Sequence, residues 1–414
     1  MLLSSTAIKS SARALAAFPS YVSAAAAGPA RVATRSLATE TTISHIPSDP
    51  DEEFTVSIPA SSFDEYLVDL ESYDLKTTKN DLIAMYKDMT TVRRMETAAD
   101  ALYKAKKIRG FSHLSIGEEA IAVGIEHAIH KDDNVITAYR CHGFAYMRGV
   151  SVKKVLAELM GRREGASYGK GGSMHIFGNH FYGGNGIVGA QVPVGAGLAF
   201  AQHYLGIPHA TFALYGDGAA NQGQVFEAFN MAKLWKLPCV FACENNKYGM
   251  GTAAARSSAL TEYHKRGQYI PGIKVDGMDV LAVKLASKFA REYTVGGNGP
   301  IVMEYTTYRY GGHSMSDPGT TYRTREEIQR MRSTHDPITG LKDKLVKLGI
   351  MTEEELKSID KEIRAYVDKE VAEAEQAPPP EASPDILFED VYVKGTEIPI
   401  LRGRFTDENY TFAK

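Results

Sequence analysis

Apolar positions along the chain fall into two periods. Over residues 80–107 they recur every three or four residues, with Leu82, Met85, Met89 and Val92 on one face, and this spacing predicts a helix. Residues 118–130 predict a second. Short apolar runs at 134–137, 211–215, 238–242 and 300–306 have the length and composition of strands buried on both faces. Further on, Thr352 and Glu355 stand at capping-box spacing and open a charged helical stretch to about Gln376, which Pro378, Pro379 and Pro380 stop. Alternation of this kind predicts an α/β fold, a parallel sheet covered by helices on both faces. In such sheets ligands sit beyond the carboxyl ends of the strands.

The pattern also divides the chain. Residues 1–39 carry Lys9, Arg13, Arg31 and Arg35, are rich in Ser and Ala, and contain no acid before Glu40, the composition of a mitochondrial transit peptide. Residues 40–79 read as an extended lead-in, 80–345 as the α/β domain, and 346–414 as a C-terminal helix and an extended tail that packs on a partner. With 47 Lys+Arg against 50 Asp+Glu the net charge is −3, so no general attraction to nucleic acid is expected. The most apolar long stretch, 187–201, is interrupted by Gln191 and is too short to span a bilayer. Cys141, Cys239 and Cys243 are too few and too irregular for a disulfide framework, and buried thiols in a reducing compartment are expected.

Candidate chemistry gathers at two strand ends. The run 211–215 leads into Gly216-Asp217-Gly218, and the run 238–242 into Asn245-Asn246-Lys247-Tyr248, so both stand at one edge of the sheet. A carboxylate between glycines lets backbone approach a phosphate, and an Asn oxygen with a nearby carbonyl adds two hard ligands of the kind Mg²⁺ takes. A helix starting near Ala220 points its N-terminus at the same place, which favours an anion. Alone, GDG reads as a turn and the Asn pair as caps; together after two strands they match the thiamin-diphosphate signature. Gly184-Asn-Gly186-Ile-Val-Gly189 also fits GxGxxG, but no buried strand precedes it and no acid follows before Asp217, so a nicotinamide site is rejected. The glycines between 165 and 189 instead predict a loop whose backbone approaches a flat ring or another chain.

Four further runs join the GDG, Asn-Asn and Gly183-Gly-Asn-Gly-Ile-Val-Gly189 runs: Arg109-Gly-Phe-Ser-His113-Leu, Ala138-Tyr-Arg-Cys-His142-Gly, Gly169-Lys-Gly-Gly-Ser-Met-His175 and Tyr308-Arg-Tyr-Gly-Gly-His313-Ser-Met-Ser-Asp-Pro-Gly319. From about Phe63 onward the chain resembles the alpha subunits of mitochondrial pyruvate dehydrogenases. The resemblance implies a thiamin-diphosphate-binding fold of the diphosphate-binding kind. It implies Asp217, Asn246 and the carbonyl of Tyr248 as Mg²⁺ ligands, and Tyr139, Arg140 and His313 on the diphosphate. His113 and His313 would be catalytic, Gly186 and Val188 would touch the aminopyrimidine, and Gly178, Gly218 and Ala219 would line the cofactor by backbone. His142 and His175 are left as structural.

The reaction implied is decarboxylation of pyruvate on the cofactor, with passage of the acetyl group to the lipoyl arm of an acyltransferase in the matrix. Only one module of the needed pair is found here, so a beta subunit in an alpha2-beta2 heterotetramer is implied. Family phosphorylation by a kinase, reversed by a phosphatase, matches Ser314; the second position holds Thr321 and the third Ala253. An alpha subunit of a branched-chain 2-oxo-acid or acetoin dehydrogenase shares the signature, but the His313 loop and the run around His113 favour pyruvate. A non-catalytic scaffold would have no need of Asp217, Asn246, His113 and His313 together. Ser112, where many relatives carry Cys, is expected to alter packing only.

Overall fold

The structure, a computed structural model, describes residues 40–43, 45–383, 386, 389, 390 and 393. All of them lie within one unit, Leu37–Lys414. The transit-peptide segment 1–39 and most of the tail 386–414 lie outside the described residues.

In chain order the first elements are β1 (Thr42–Ile43), β2 (Phe54–Ser57), β3 (Phe63–Tyr66), β4 (Asp74–Thr77), α1 (Lys79–Lys104), α2 (Glu119–Glu126), β5 (Asn134–Ile136), α3 (His142–Met147), α4 (Val152–Leu159) and α5 (Gln191–Leu205). There follow β6 (Thr211–Gly216), α6 (Gly223–Leu234), β7 (Cys239–Asn245), the short pair β8 (Tyr248–Gly249) and β9 (Thr252–Ala253), α7 (Ala254–Ser257) and β10 (Gly272–Asp276). The last are α8 (Val280–Tyr293), β11 (Ile301–Thr306), α9 (Arg325–Thr334), α10 (Pro337–Lys347) and α11 (Glu353–Gln376). The main sheet runs β3-β10-β11-β7-β6-β5, parallel throughout except for β3, which pairs antiparallel with β10 at the edge.

Strand periodicity separates two cores. Phe212, Leu214, Val240, Ala242, Met303 and Tyr305 point into a core shared with α1, α2, α8 and α11, while Ala213, Tyr215, Cys239, Phe241, Cys243 and Val302 point to the other face, under α5 and α6. Both faces are therefore covered, as the continuous apolar runs predict. Each large apolar side chain so buried contributes about 1.5–3 kcal/mol relative to exposure. All three cysteines are free and buried.

Several expectations needed revision. The lead-in is not merely extended: β1, β2 and β4 form an antiparallel sheet, and β3 joins the main one. Its alternation, with Phe54 and Val56 buried, is too short to register as a period. The second helix stops at Glu126, because Asp133 accepts the His130 N–H at 2.6 Å and turns the chain into β5. After Asp217 comes a 3₁₀ turn, Ala219–Asn221, and the α-helix begins only at Gly223. The loop before Gly184 forms no strand, yet residues 180–183 lie hydrogen-bonded along the free edge of β5 through Val135 N to His180 O and Tyr182 N to Val135 O. The capping box at Thr352 and Glu355 forms as predicted, and α11 packs on α1 and α4, with Tyr86 donating to Asp360 at 2.9 Å.

Candidate active site

Parallel strands deliver their following residues to one edge, and the sequence candidates meet there. Tyr139 and Arg140 follow β5, Asp217 follows β6, Asn246 follows β7, and Arg309 and His313 follow β11. The segment before α2 supplies His113 and Glu118. The His113 ring lies 4.5 Å from Tyr139 and 5.1 Å from His313, centroid to centroid, and the Tyr139–His313 separation is 5.4 Å. Arg140 Nη2 donates to the His313 carbonyl at 3.0 Å and its Nη1 to the Leu114 carbonyl, so one guanidinium clasps the backbone around both histidines.

Glu118 is the residue the sequence reading missed. Buried in this edge, it accepts from Asn246 Nδ2 at 2.8 Å and faces Arg140 Nε at 3.3 Å. A carboxylate can only accept here, so it fixes the Asn246 amide with nitrogen toward Glu118 and Oδ1 turned away, toward Tyr248 N at 3.3 Å. A lone Glu two residues after Ile116 carries no motif, and only the turn into α2 aims it at a strand end 128 positions later. Arg309, in the run Tyr308–Gly319, is a second such residue. Among the described residues it is the largest fully buried side chain, and it donates to the Gly311 and Met250 carbonyls and to Tyr322.

The electrostatics favour an anion and a cation together. Burial, then Arg140 and His313, push His113 down to about 3; burial, then Arg140 and Arg309, push His313 down to about 4. Both imidazoles are neutral near pH 7, and Nδ1 of each is buried without a hydrogen-bond partner. Burial and the neighbouring Arg140 also hold the Arg309 guanidinium below its ordinary range. Two close guanidinium groups and two orphaned ring nitrogens fit a polyanion. On the metal side, burial pushes Asp217 up to about 6, with Glu118 raising it further against Arg309, and a divalent cation would reverse that shift. Glu244 joins the acidic group: burial, with Glu118 beside it, pushes its carboxyl up to about 8.

Close backbone approach completes the edge. A Cβ on Gly218 would stand 3.3 Å from the Gly249 Cα, and one on Gly249 would stand 3.2 Å from the Gly218 Cα, so the GDG turn and β8 touch through paired glycines. Ala219 is buried in the 3₁₀ turn. The Gly184–Gly189 loop lies between β5 and α6: Gly184 meets the Ala138 carbonyl, Gly186 the His175 ring, and Val188 O accepts from Gln222 Nε2 at 3.1 Å. Gly178 is not brought to this cluster. It exchanges two backbone hydrogen bonds with Phe181 and packs on Val150 and the Arg148 carbonyl, on the amino side of β5.

The loop after β11 is held shut by Asp317, which accepts from His313 N at 2.7 Å, Gly319 N at 2.8 Å and Tyr322 Oη at 2.6 Å. Within it Ser314 is buried, its Oγ 3.0 Å from that of Ser316, and Met315 N donates to Ser112 O, next to His113. Ala253 pairs with Tyr248 across β8–β9. His142 is structural: it bridges Glu96 at 2.8 Å and Ser173 Oγ at 2.8 Å in a fully buried position. His175 Nδ1 lies 3.3 Å from the Gly171 carbonyl, and its own carbonyl accepts from Ser167 Oγ at 2.8 Å. Among the described residues no helix is long and apolar enough to cross a membrane.

The sequence profile described as "Dehydrogenase E1 component" matches residues 87–383. The chain is 66% identical over 381 residues to the pyruvate dehydrogenase E1 component subunit alpha, mitochondrial, of Chaetomium thermophilum, covering 92% of this chain and 93% of that one. It is 68% identical over 364 residues to the protein of the same name from Kluyveromyces lactis, covering 88% of each. It is 59% identical over 304 residues to the somatic form of that subunit from Bos taurus, covering 73% of this chain and 78% of that one.

Proposed function

The chain belongs to the dehydrogenase E1 component family, and from that premise we propose that it works as the alpha subunit of a mitochondrial pyruvate dehydrogenase. Its reaction is the oxidative decarboxylation of pyruvate with transfer of the acetyl group to the lipoyl arm of an acyltransferase, in the mitochondrial matrix. The names of its relatives favour pyruvate over the branched-chain and acetoin alternatives. The observation that carries the reading is the convergence of Asp217, Asn246, Arg140, Arg309 and two partnerless imidazoles at one strand edge.

The residues present fit thiamin diphosphate and Mg²⁺, in the diphosphate-binding module of a thiamin-diphosphate fold. When bound, the cofactor supplies a carbon nucleophile and an electron sink for decarboxylation. Asp217, Asn246 Oδ1 and the Tyr248 carbonyl would hold the metal, with Glu118 setting the Asn246 amide. Tyr139, Arg140 and His313 would hold the diphosphate, Gly218 and Ala219 would line it by backbone, and Gly186 and Val188 would meet the aminopyrimidine. His113, kept neutral by burial and by Arg140, can accept a proton or donate one beside the substrate carbonyl. Packing of the Tyr139 and His313 rings on His113 limits its rotation and excludes water.

Apolar surface beside the site supports a beta subunit in an alpha2-beta2 assembly. Phe111, Ile187 and Met250 are exposed around its mouth. Across α5 and α6, Phe200, Tyr204, Leu205, Leu234 and Trp235 form an exposed aromatic and aliphatic face, with the Phe200 ring 5.5 Å from Trp235. Contiguous apolar surface of this kind marks a protein interface. Ser314 is the position on which a regulatory kinase and phosphatase would act.

The test is decarboxylation of 2-oxo acids by the chain alone and co-expressed with its beta partner, with and without thiamin diphosphate and Mg²⁺. Turnover of pyruvate that needs partner, cofactor and metal, and that vanishes in Asp217→Ala, is expected. Full turnover by the isolated chain would refute the subunit reading, and turnover of branched-chain acids alone would refute the substrate.

A further inference from the structure

At the opposite, amino edge of the sheet, a second cluster of potential ligands has no part in this chemistry. His130 and Asp132 lie between α2 and β5, and His209 lies between α5 and β6. One ligand atom from each falls within 4.8 Å of the others. Asp132 Oδ2 is 3.4 Å from His130 Nδ1 and 3.9 Å from His209 Nε2, and the two imidazoles stack with centroids 5.2 Å apart. The other carboxylate oxygen of Asp132 lies 3.6 Å from His180 Nε2, which brings a third imidazole within reach.

From this juxtaposition we infer that His130, Asp132 and His209, joined by His180, form a binding site for a divalent transition-metal ion of the Zn²⁺ type. Imidazoles around one carboxylate suit Zn²⁺, whereas Mg²⁺ and Ca²⁺ prefer all-oxygen sets. Zinc binding would draw these ligand atoms, now within 4.8 Å of one another, to roughly 2.0–2.2 Å from the ion.

The frame behind the cluster is rigid. Buried Asp133 accepts from His130 N at 2.6 Å and from Ala210 N at 2.8 Å, so one carboxylate ties together the two loops that carry the ligands; Arg291 balances its charge. Asp133 Oδ1 also faces His209 Nδ1 at 3.6 Å, and that nitrogen is buried with no hydrogen-bond partner. A histidine that offers Nε2 to a metal while its Nδ1–H points at a carboxylate is the usual way a zinc ligand is oriented. Among the described residues a second such group, Asp64, Glu262 and His264, differs in that Lys265 already pairs with both of its carboxylates and supplies their positive charge.

The experiment uses the metal-stripped full chain, assembled with its beta partner, titrated with ZnCl₂ in a calorimeter. Saturable zinc binding is expected, with one equivalent per chain lost or weakened about tenfold or more in His130→Gln and in His209→Gln. Millimolar Mg²⁺ should leave that equivalent in place. Zinc should also raise the thermal midpoint of the parent and not of the double variant, since an ion spanning the two loops stabilises the folded form. His130 is mostly exposed, so its variant reports on binding rather than on folding. Absence of saturable binding in the parent, equal binding in the double variant, or displacement of the ion by Mg²⁺ would each overturn the assignment.

Discussion

Asn246 donates its side-chain N–H to Glu118 across 2.8 Å, and that bond decides which way the amide oxygen faces. Glu118→Gln keeps the shape but lets either amide flip, and it removes the charge opposite Arg140. Since residues that orient metal ligands are typically worth 10–100-fold in affinity or activity, a loss of about that size in kcat/KM is expected. It should appear as a raised requirement for Mg²⁺ and thiamin diphosphate in steady-state titrations. Unchanged titration curves would mean that Asn246 needs no such orientation.

The contact between Gly218 and Gly249 makes a second, steric prediction. Gly249→Ala places a methyl group 3.2 Å from the Gly218 Cα, where backbone rather than a flexible side chain must yield. A destabilisation of about 1–3 kcal/mol is expected, with weakened cofactor binding because the GDG turn shifts. Gly340→Ala is the control. It lies exposed within α10 with nothing within 4 Å of the new methyl, and should stabilise by about 0.5–1 kcal/mol. Chemical denaturation of both variants separates the two effects.

How much of this was readable beforehand follows from what kind of signal each part leaves. The strands at 211–216 and 239–245 begin as continuous apolar runs, to Tyr215 and Cys243, because both faces are buried, and Asp217 and Asn246 stand just beyond where those runs stop. The α1 stripe and the Thr352 cap are local patterns and were equally plain. By contrast, β3 and β10 hold only four and five residues, with Asp64 and Lys274 on half-buried positions, so no apolar run marks them. Glu118 acts through Asn246, 128 positions on, and Arg309 reaches Met250, 59 positions back, and single-chain patterns do not encode such pairings. Gly178 rests on the resemblance alone, and its backbone pairs with Phe181.

Ser314 supplies a prediction about charge. Its hydroxyl is buried in a loop closed by Asp317 and placed beside His313, so a dianion there must either open the loop or stand in the anion site. A phosphate adds about −1.5 to −2 charge, and repulsion of the cofactor diphosphate should follow. Ser314→Glu in the assembled enzyme is expected to lower kcat/KM at least about tenfold without changing the thermal midpoint by more than a few degrees. Ser314→Ala should retain most activity, because only the bond to Ser316 is lost. Equal activity of the two variants would show that charge at this position is tolerated.

His127 joins three helices and makes stability depend on pH. Its Nδ1 lies 2.9 Å from Asp81 and its Nε2 2.9 Å from Asp88, both on α1, and Lys284 of α8 also reaches Asp81. Burial opposes the charged imidazole, but the two carboxylates outweigh it and raise the His127 pKa above 6.5. Burial likewise opposes ionised Asp81, and His127 with Lys284 outweighs it, holding that carboxyl well below its ordinary range. A raised histidine stabilises the fold fully below its unfolded pKa of about 6.5 and loses that contribution as pH climbs through the raised value. A depressed carboxyl contributes above about 3.9 and loses its share as pH falls. The cluster is therefore strongest in mildly acidic solution. His127→Gln should cost about 1–3 kcal/mol near pH 6, where a buried charged partner is removed, and progressively less toward pH 9. Unfolding midpoints measured across that range should thus converge for parent and variant as pH rises, and a gap that stays constant would assign the cost to packing instead of charge.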